Sequence, residues 1–150
     1  MDVKRTWLEQ PIKLVISECW DYLKDDSQLE PEDYVPVITD DSRWYLTYLE
    51  GQVSGAFWMK RINLVTWEAH ANVRPKFWGN RKGTLLCKMA LEEMIRDTGA
   101  KKVVALIPAS SPAVQRMAEA IGFKVEGVQE KSWMKDGVLY DQTYYGMTGI

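Results

Sequence analysis

Two groups of residues have types and spacings that can do chemistry. Glu68 and His70 lie two apart in the run Thr66–Val73, and in a strand that spacing puts both on one face, opposite Trp67, Ala69 and Ala71. A carboxylate and an imidazole so placed can take a proton from a reacting amine, or simply pair with neighbours or face solvent. The same run leads into Val73-Arg74-Pro75-Lys76-Phe77-Trp78-Gly79-Asn80-Arg81-Lys82-Gly83-Thr84, and a helical pattern, Leu85 to Thr98, leads out. The first N–H groups of a helix lack internal partners, and its dipole adds about half a positive charge there, so this strand–loop–helix can form an anion pocket. Arg74, Lys76, Arg81 and Lys82 surround the pocket, and Thr84 would present its N–H and hydroxyl together. The competing reading is a solvated basic turn between two elements. Ser111, just before Pro112, offers a hydroxyl that either donates a proton or caps a helix.

The remaining chain must position these groups. At 150 residues it reads as one domain spanning 1–150, long enough to bury about two-thirds of its unfolded surface. A 46% hydrophobic, 27% charged composition is that of a soluble globular protein, and a formal charge of -2 gives no field that would draw nucleic acid or acidic lipid. Seven Trp and seven Tyr suit an aromatic-rich core, or a self-associating face that would make a homodimer. Cys19 and Cys87 have apolar helical neighbours and no metal-ligand spacing to each other or to His70, the single histidine, so they read as buried small residues. With no signal-peptide pattern and no apolar run approaching ~18 residues, the expectation is a cytoplasmic protein with no membrane segment.

Along the chain, Val3 to Trp7 reads as a short edge strand, and Pro11 opens a helix carried by Ile12, Val15, Ile16, Cys19 and Leu23. Residues 26–42, acidic and with Pro31 and Pro36, form a loop with one turn of helix. Trp44 to Leu49 and Gln52 to Lys60 make a hairpin about Glu50-Gly51, and Thr66–Val73 is the third strand of the meander. Gly99 caps the following helix. Lys102 to Ile107 is continuously apolar, which predicts a strand buried on both faces. A helix from Ala113 to Ile121 ends at Gly122, Phe123 to Lys135 is strand, and Asp136-Gly137 turns it onto Val138 to Tyr145. The order predicts a mixed α/β fold, a mostly antiparallel central sheet with helices on both faces.

This order, with two local motifs, resembles the GNAT family of acyl-CoA N-acyltransferases, nearest to its RimJ/RimL-like branch, over roughly residues 43–147. The first motif of that family, Val-x-Pro-x-aromatic-(Arg/Gln/Trp)-Gly-x-Gly-x-(Gly/Ala), reads here as Val73 to Gly83; the second reads as Ser111 to Gly122-Phe123, with Glu126-Gly127 following. The resemblance implies that backbone N–H groups among Trp78, Gly79, Asn80, Arg81, Lys82, Gly83 and Thr84, with Arg74, hold the diphosphate of acetyl-CoA. It implies that main chain near Asn72 and Val73 polarises the thioester carbonyl, and that an amine, on a protein or a small molecule, is the acceptor. Glu68 and His70 are then base candidates and Ser111 a proton donor for the departing thiolate, while Asp141 orders its strand.

Three positions depart from the family pattern. Arg81 stands at the first motif glycine, where glycine would take a positive φ freely and let the backbone approach phosphate. Ser111 stands where asparagine is usual, and Ala118 where a tyrosine often protonates the leaving sulfur. These departures leave open an alternative: a catalytically inactive relative acting as a binding or assembly component, which would suit a phage-encoded accessory protein.

Overall fold

The computed structural model describes residues 1–28 and 30–150. Its strands are β1 (Asp2–Thr6), β2 (Ser42–Leu49), β3 (Gln52–Arg61), β4 (Thr66–Val73), β5 (Lys102–Pro108), β6 (Lys124–Lys135) and β7 (Val138–Thr148). Its helices are α1 (Glu9–Leu23), α2 (Lys82–Thr98) and α3 (Pro112–Ala120), with single 3₁₀ turns at Pro31–Asp33 and Pro75–Phe77. All strands join one sheet in the order β1-β2-β3-β4-β5-β7-β6, antiparallel everywhere except between β4 and β5.

Alternation along β2 and β3 divides the core. Trp44, Leu46 and Ala56 point to one face, where α1 lays down Ile12, Val15, Ile16, Cys19 and Trp20. Tyr45, Phe57 and Met59 point to the other, against Leu86, Cys87, Ala90, Leu91 and Met94 of α2, joined there by Ala118 of α3. The mixed sheet with helices on both faces is therefore as expected. So is the left-handed Gly99 (φ +70) whose N–H donates to Ile95 O at the end of α2.

One expectation fails. β5 is not buried on both faces: Val103, Ala105 and Ile107 are buried under α2 and α3, whereas Val104 and Leu106 are only half-buried. The sheet's other face is covered by α1, which packs on β2, β3 and β4 and stops short of β5. An uninterrupted apolar run therefore marks a strand covered on one side, with its second face turned to a chamber.

That chamber exists because the parallel pair is short. β4 and β5 are in register only over Thr66–Lys102, Trp67–Val103 and Glu68–Val104. Beyond Glu68 they part. Arg74 N donates to Ser54 O, so the even-numbered residues of β4 turn their amides and carbonyls to β3. Ala69 N closes the ladder on Val104 O, as the Glu68–Val104 pairing requires, so the Ala69 carbonyl and the amides of Ala71 and Val73 are what faces the gap. On the far side Ala109 N donates to Asp141 O, which by the same alternation gives Leu106 and Pro108 to the gap. Pro108 sits where its missing N–H leaves no ladder bond broken.

Candidate active site

At the wide end of the gap β4 runs into the basic loop. Phe77 N donates to Arg74 O and Trp78 N to Pro75 O, which makes the 3₁₀ turn; Lys82 N donates to Gly79 O, and Leu85 N to Arg81 O. The amides of Gly79, Asn80, Arg81, Gly83 and Thr84 have no protein acceptor among the described residues. Five such donors around a helix start are what a diphosphate needs. Asn80 (φ 53) and Arg81 (φ 61) are both left-handed, so this turn does demand the positive φ that glycine supplies freely. Arginine adopts it here with its side chain in solvent, so the guanidinium does not fill the turn. The two glycines are not forced by conformation: neither has a positive φ, and a Cβ on Gly79 would meet nothing within 4 Å. A Cβ on Gly83 would make ordinary contact with Trp78 Cα at 3.7 Å.

Other residues named from the sequence fall into different roles. Arg74 is committed to the protein, donating from Nε to Glu18 Oε2 (2.8 Å) and from Nη1 to Val53 O (2.8 Å), and so ties the end of β4 to α1 and β3. Trp78 donates from Nε1 to Val73 O at 2.6 Å and sets its ring edge-on to Tyr22, pinning the loop to the strand that precedes it. Asn72 is corrected as a main-chain donor to the gap: its amide faces β3, and its Nδ2 donates to Ala56 O at 3.2 Å. Val73 does face the gap, although its carbonyl already accepts from Trp78 and from the Cys19 thiol. Lys82 lies exposed beside the free amides.

A cavity of about 410 Å³ passes through the gap from one face of the sheet to the other. On the α2 and α3 side it is lined by Leu91, Met94, Val114 and Met117. On the α1 side it is lined by Tyr22, Tyr34, Trp58, Glu68, His70 and Trp133, with Ser111 and Gln142 also at the wall. Glu68 and His70 share a face as their spacing predicts, and that face is the chamber's. Trp44, Trp58 and His70, opposite one another on β2, β3 and β4, form a three-ring stack. Centroids are 5.6 Å apart with planes 6° from parallel for the two tryptophans, and 4.7 Å and 27° for Trp58 and His70. The stack fixes the imidazole with Nε2 3.5 Å from Glu68 Oε2. That contact is too long to satisfy Nε2, which is buried without a hydrogen-bond partner among the described residues. It still favours a negative charge on the carboxyl. The contact with His70 holds Glu68 below its ordinary pKa, against burial, which pushes the other way. Glu68 is therefore ionised at neutral pH.

Ser111 precedes α3 as expected, but its hydroxyl caps nothing: the backbone carbonyl accepts from Val114 N and Gln115 N, and the side chain makes no capping hydrogen bond. The Oγ is thus free at the chamber wall. Ala118, at the tyrosine position, is 4% exposed within the core. Asp141 lies on β7 but its carboxylate orders the neighbouring β6 and not its own strand, Oδ1 accepting from Lys131 N at 2.8 Å inside an irregular stretch between Gln129 and Trp133. A bulge re-aims the residues that follow it, and here it delivers Trp133 to the chamber. The hairpin tip beyond Trp133 is latched over the α1 side. Asp26 accepts from Asp136 N (2.8 Å) and Gly137 N (2.9 Å), Asp26 N donates to Met134 O, and Lys135 Nζ donates to Asp21 O.

Trp58, Trp133, Tyr34 and Gln142 were not anticipated as lining residues, nor was Ala71 as free strand edge. The aromatic and alternating pattern of β3 could have suggested the stack, but only a register would have brought it to His70.

A sheet that splits between two parallel strands, with free amides along the split and at the helix start beyond it, defines a class of acyl-group transferases. The chain belongs to the acetyltransferase (GNAT) family, whose description matches residues 7–123. Comparison with curated protein sequences finds no match. Among solved structures, spermidine N-acetyltransferase SpeG from Vibrio cholerae, in a mutant form, superimposes with a TM-score of 0.80 at 14% identity, covering 99% of this chain and 95% of that one. A ribosomal-protein-alanine N-acetyltransferase from Brucella melitensis gives 0.72 at 15% identity, with 99% of each chain covered. YncA from Salmonella typhimurium, solved with its cofactor acetyl-CoA, gives 0.70 at 19% identity, covering 97% of this chain and 93% of that one. At identities this low the superpositions show a shared fold. No helix among the described residues is long and apolar enough to cross a membrane.

Proposed function

We propose that this protein is an N-acetyltransferase that uses acetyl-CoA to acetylate an amine bound on the α1 side of the split sheet. The observation that carries the reading is the gap itself: a free strand edge running from the Ala69 carbonyl to Val73, and on into five unpartnered amides. Bound there, acetyl-CoA supplies an activated acetyl group. The amides of Gly79, Asn80, Arg81, Gly83 and Thr84 hold its diphosphate, with Lys82 beside them. The edge amides of Ala71 and Val73 hold its arm and donate to the thioester carbonyl oxygen, a kind of contact worth about 10²–10³ in rate. Glu68, ionised, takes a proton from the acceptor nitrogen, directly or across one water, and His70 orients the carboxylate. The free Ser111 hydroxyl is the group at hand to donate a proton to sulfur, in a site where the usual tyrosine is replaced by Ala118.

The test is thermal unfolding with acetyl-CoA, followed by thiol release with amines. Ligand at about 100 times its Kd should stabilise the fold by about 2.7 kcal/mol. Stabilisation without transfer to any amine would favour the alternative, a member that keeps the cofactor site and serves as a binding component, which the buried Ala118 supports. No stabilisation would remove the enzyme reading.

A further inference from the structure

Resting on that reading, we infer that the acceptor is a small monoamine with an apolar, preferably aromatic, body and no carboxylate. Three observations on the α1 side of the chamber converge. First, the chamber's charge inventory is a single carboxylate: among the described lining residues Glu68 is the one acid, and none is Lys or Arg. An ammonium finds one counter-charge. A carboxylate on the acceptor would meet Glu68 with no cation to pair it, and burying an unpaired charge is strongly unfavourable. A second ammonium, as in a polyamine, would likewise lie unpaired against apolar wall.

Second, the wall around Glu68 is aromatic. Trp58, its two faces covered by Trp44 and His70, is held rigidly with a ring edge left for the chamber, and Trp133 lines the same space. A ring edge of this kind takes the face of an aryl body in an edge-to-face contact, and apolar wall around it covers the rest of such a body. Trp133 Nε1 and His70 Nε2 are both buried and without partners among the described residues, leaving one donor and one further nitrogen for polar atoms of a ligand.

Third, the chamber is roofed. The β6–β7 tip is fastened to the α1–β2 connection by both carboxylate oxygens of Asp26. The latched tip narrows the opening on this side, and a cavity of about 410 Å³ that must also admit the thioester arm leaves room for a one- or two-ring amine. A folded protein presenting its terminus would need an open groove there.

The experiment measures thiol release by the full chain with acetyl-CoA and a fixed panel: tryptamine and phenethylamine, their carboxylated counterparts tryptophan and phenylalanine, spermidine, and a short alanine-first peptide. The expected kcat/KM for the two arylalkylamines exceeds every other member by at least about tenfold, reflecting the unpaired charge or steric exclusion of the rest. In Trp133→Leu the KM for tryptamine should rise several-fold while stabilisation by coenzyme A is unchanged. Equal or better turnover of spermidine, an amino acid or the peptide would overturn the inference and leave the acetyltransferase reading standing. Stabilisation by acetyl-CoA with no panel amine accepted would also overturn the inference, and would favour the binding-component alternative. Absence of both stabilisation and thiol release would fail the underlying reading instead.

Discussion

The two ends of the chamber are built on opposite plans. At the cofactor end the donors are main-chain amides between Gly79 and Thr84, all but that of Lys82; the Asn80, Arg81 and Lys82 side chains are exposed, and Trp78 just before them is spent on anchoring the loop. At the acceptor end the groups are side chains brought from β3, β4, β6 and the α1–β2 connection, and each needs a second residue to hold it. A main-chain site tolerates side-chain change so long as the path of the chain survives. A side-chain site does not, because each group has one geometry and one chemistry. The two ends should therefore respond differently to mutation.

The largest effect belongs to the acceptor end. Glu68→Gln keeps size and shape but removes the base, and kcat should fall by about 10²–10⁴ with coenzyme A affinity unchanged. Titration of rate against pH would show it: the wild-type limb on the acid side, from ionisation of Glu68, should vanish in the variant. If kcat is unaltered, Glu68 is no base and the acceptor end lacks its reactive group. At the cofactor end the corresponding change is one of bulk. Gly83→Ala should fold and bind normally, because the added Cβ makes only ordinary contact with Trp78. Gly83→Trp should weaken coenzyme A at least about tenfold by crowding the amides that flank it, as read by calorimetry. Equal binding by both variants would show that the loop takes no part.

These two plans also explain what could be read in advance. Val73 to Thr84 was legible because its function is local: a strand, a loop with glycines, and a helix start suffice to imply free amides. The Thr66–Val73 strand, the hairpin turns at Glu50-Gly51 and Asp136-Gly137, and the Gly99 cap were legible for the same reason. Asn72 was misassigned because which edge an amide faces depends on the register of β4 against β3. That register is a pairing of distant segments which no local pattern states. β5 read as fully buried because an apolar run does not say how far α1 extends. Trp133 and Trp58 stayed hidden as chamber residues since they reach it through a bulge ordered by Asp141 and through a cross-strand stack. At the Arg81 position the pattern suggested only that glycine would take a positive φ freely, and the structure has Arg81 itself there at φ 61. What the pattern could not give was that the side chain stays outside.

A smaller effect would sharpen the claim that acceptor-end groups work in pairs. His70→Phe should preserve the stack on Trp58 while removing the nitrogen beside Glu68. With that contact gone, burial is left as the main influence on the carboxyl, so its pKa should rise and the acid limb of the rate profile move to higher pH. Stability should follow the same sign. A carboxyl held below its unfolded value stabilises the fold above that unfolded value, and the contribution is lost as pH falls through the folded one. Wild type and His70→Phe should therefore differ at neutral pH and converge in acid, measured by denaturant unfolding. An unmoved limb would mean that His70 does not set the charge on Glu68.

The smallest effect tests the cofactor end where side-chain and main-chain accounts compete. A left-handed conformation costs a residue with a Cβ about 1–2 kcal/mol, and glycine returns about 0.5–1 kcal/mol of that through its freer unfolded chain. Arg81→Gly should then stabilise the cofactor-free protein by about 0.5–1 kcal/mol, raising Tm by a few degrees at most. Coenzyme A affinity should stay within about fivefold, since an exposed ion pair is worth at most about 1 kcal/mol. The guanidinium is in solvent with no polar partner among the described residues, whereas the amide it carries remains in glycine. A loss well beyond fivefold, with a salt dependence shallower than that of the wild type, would mean that the arginine side chain itself carries phosphate. The contrast between a main-chain end and a side-chain end would then fail at the residue that departs furthest from the family's pattern.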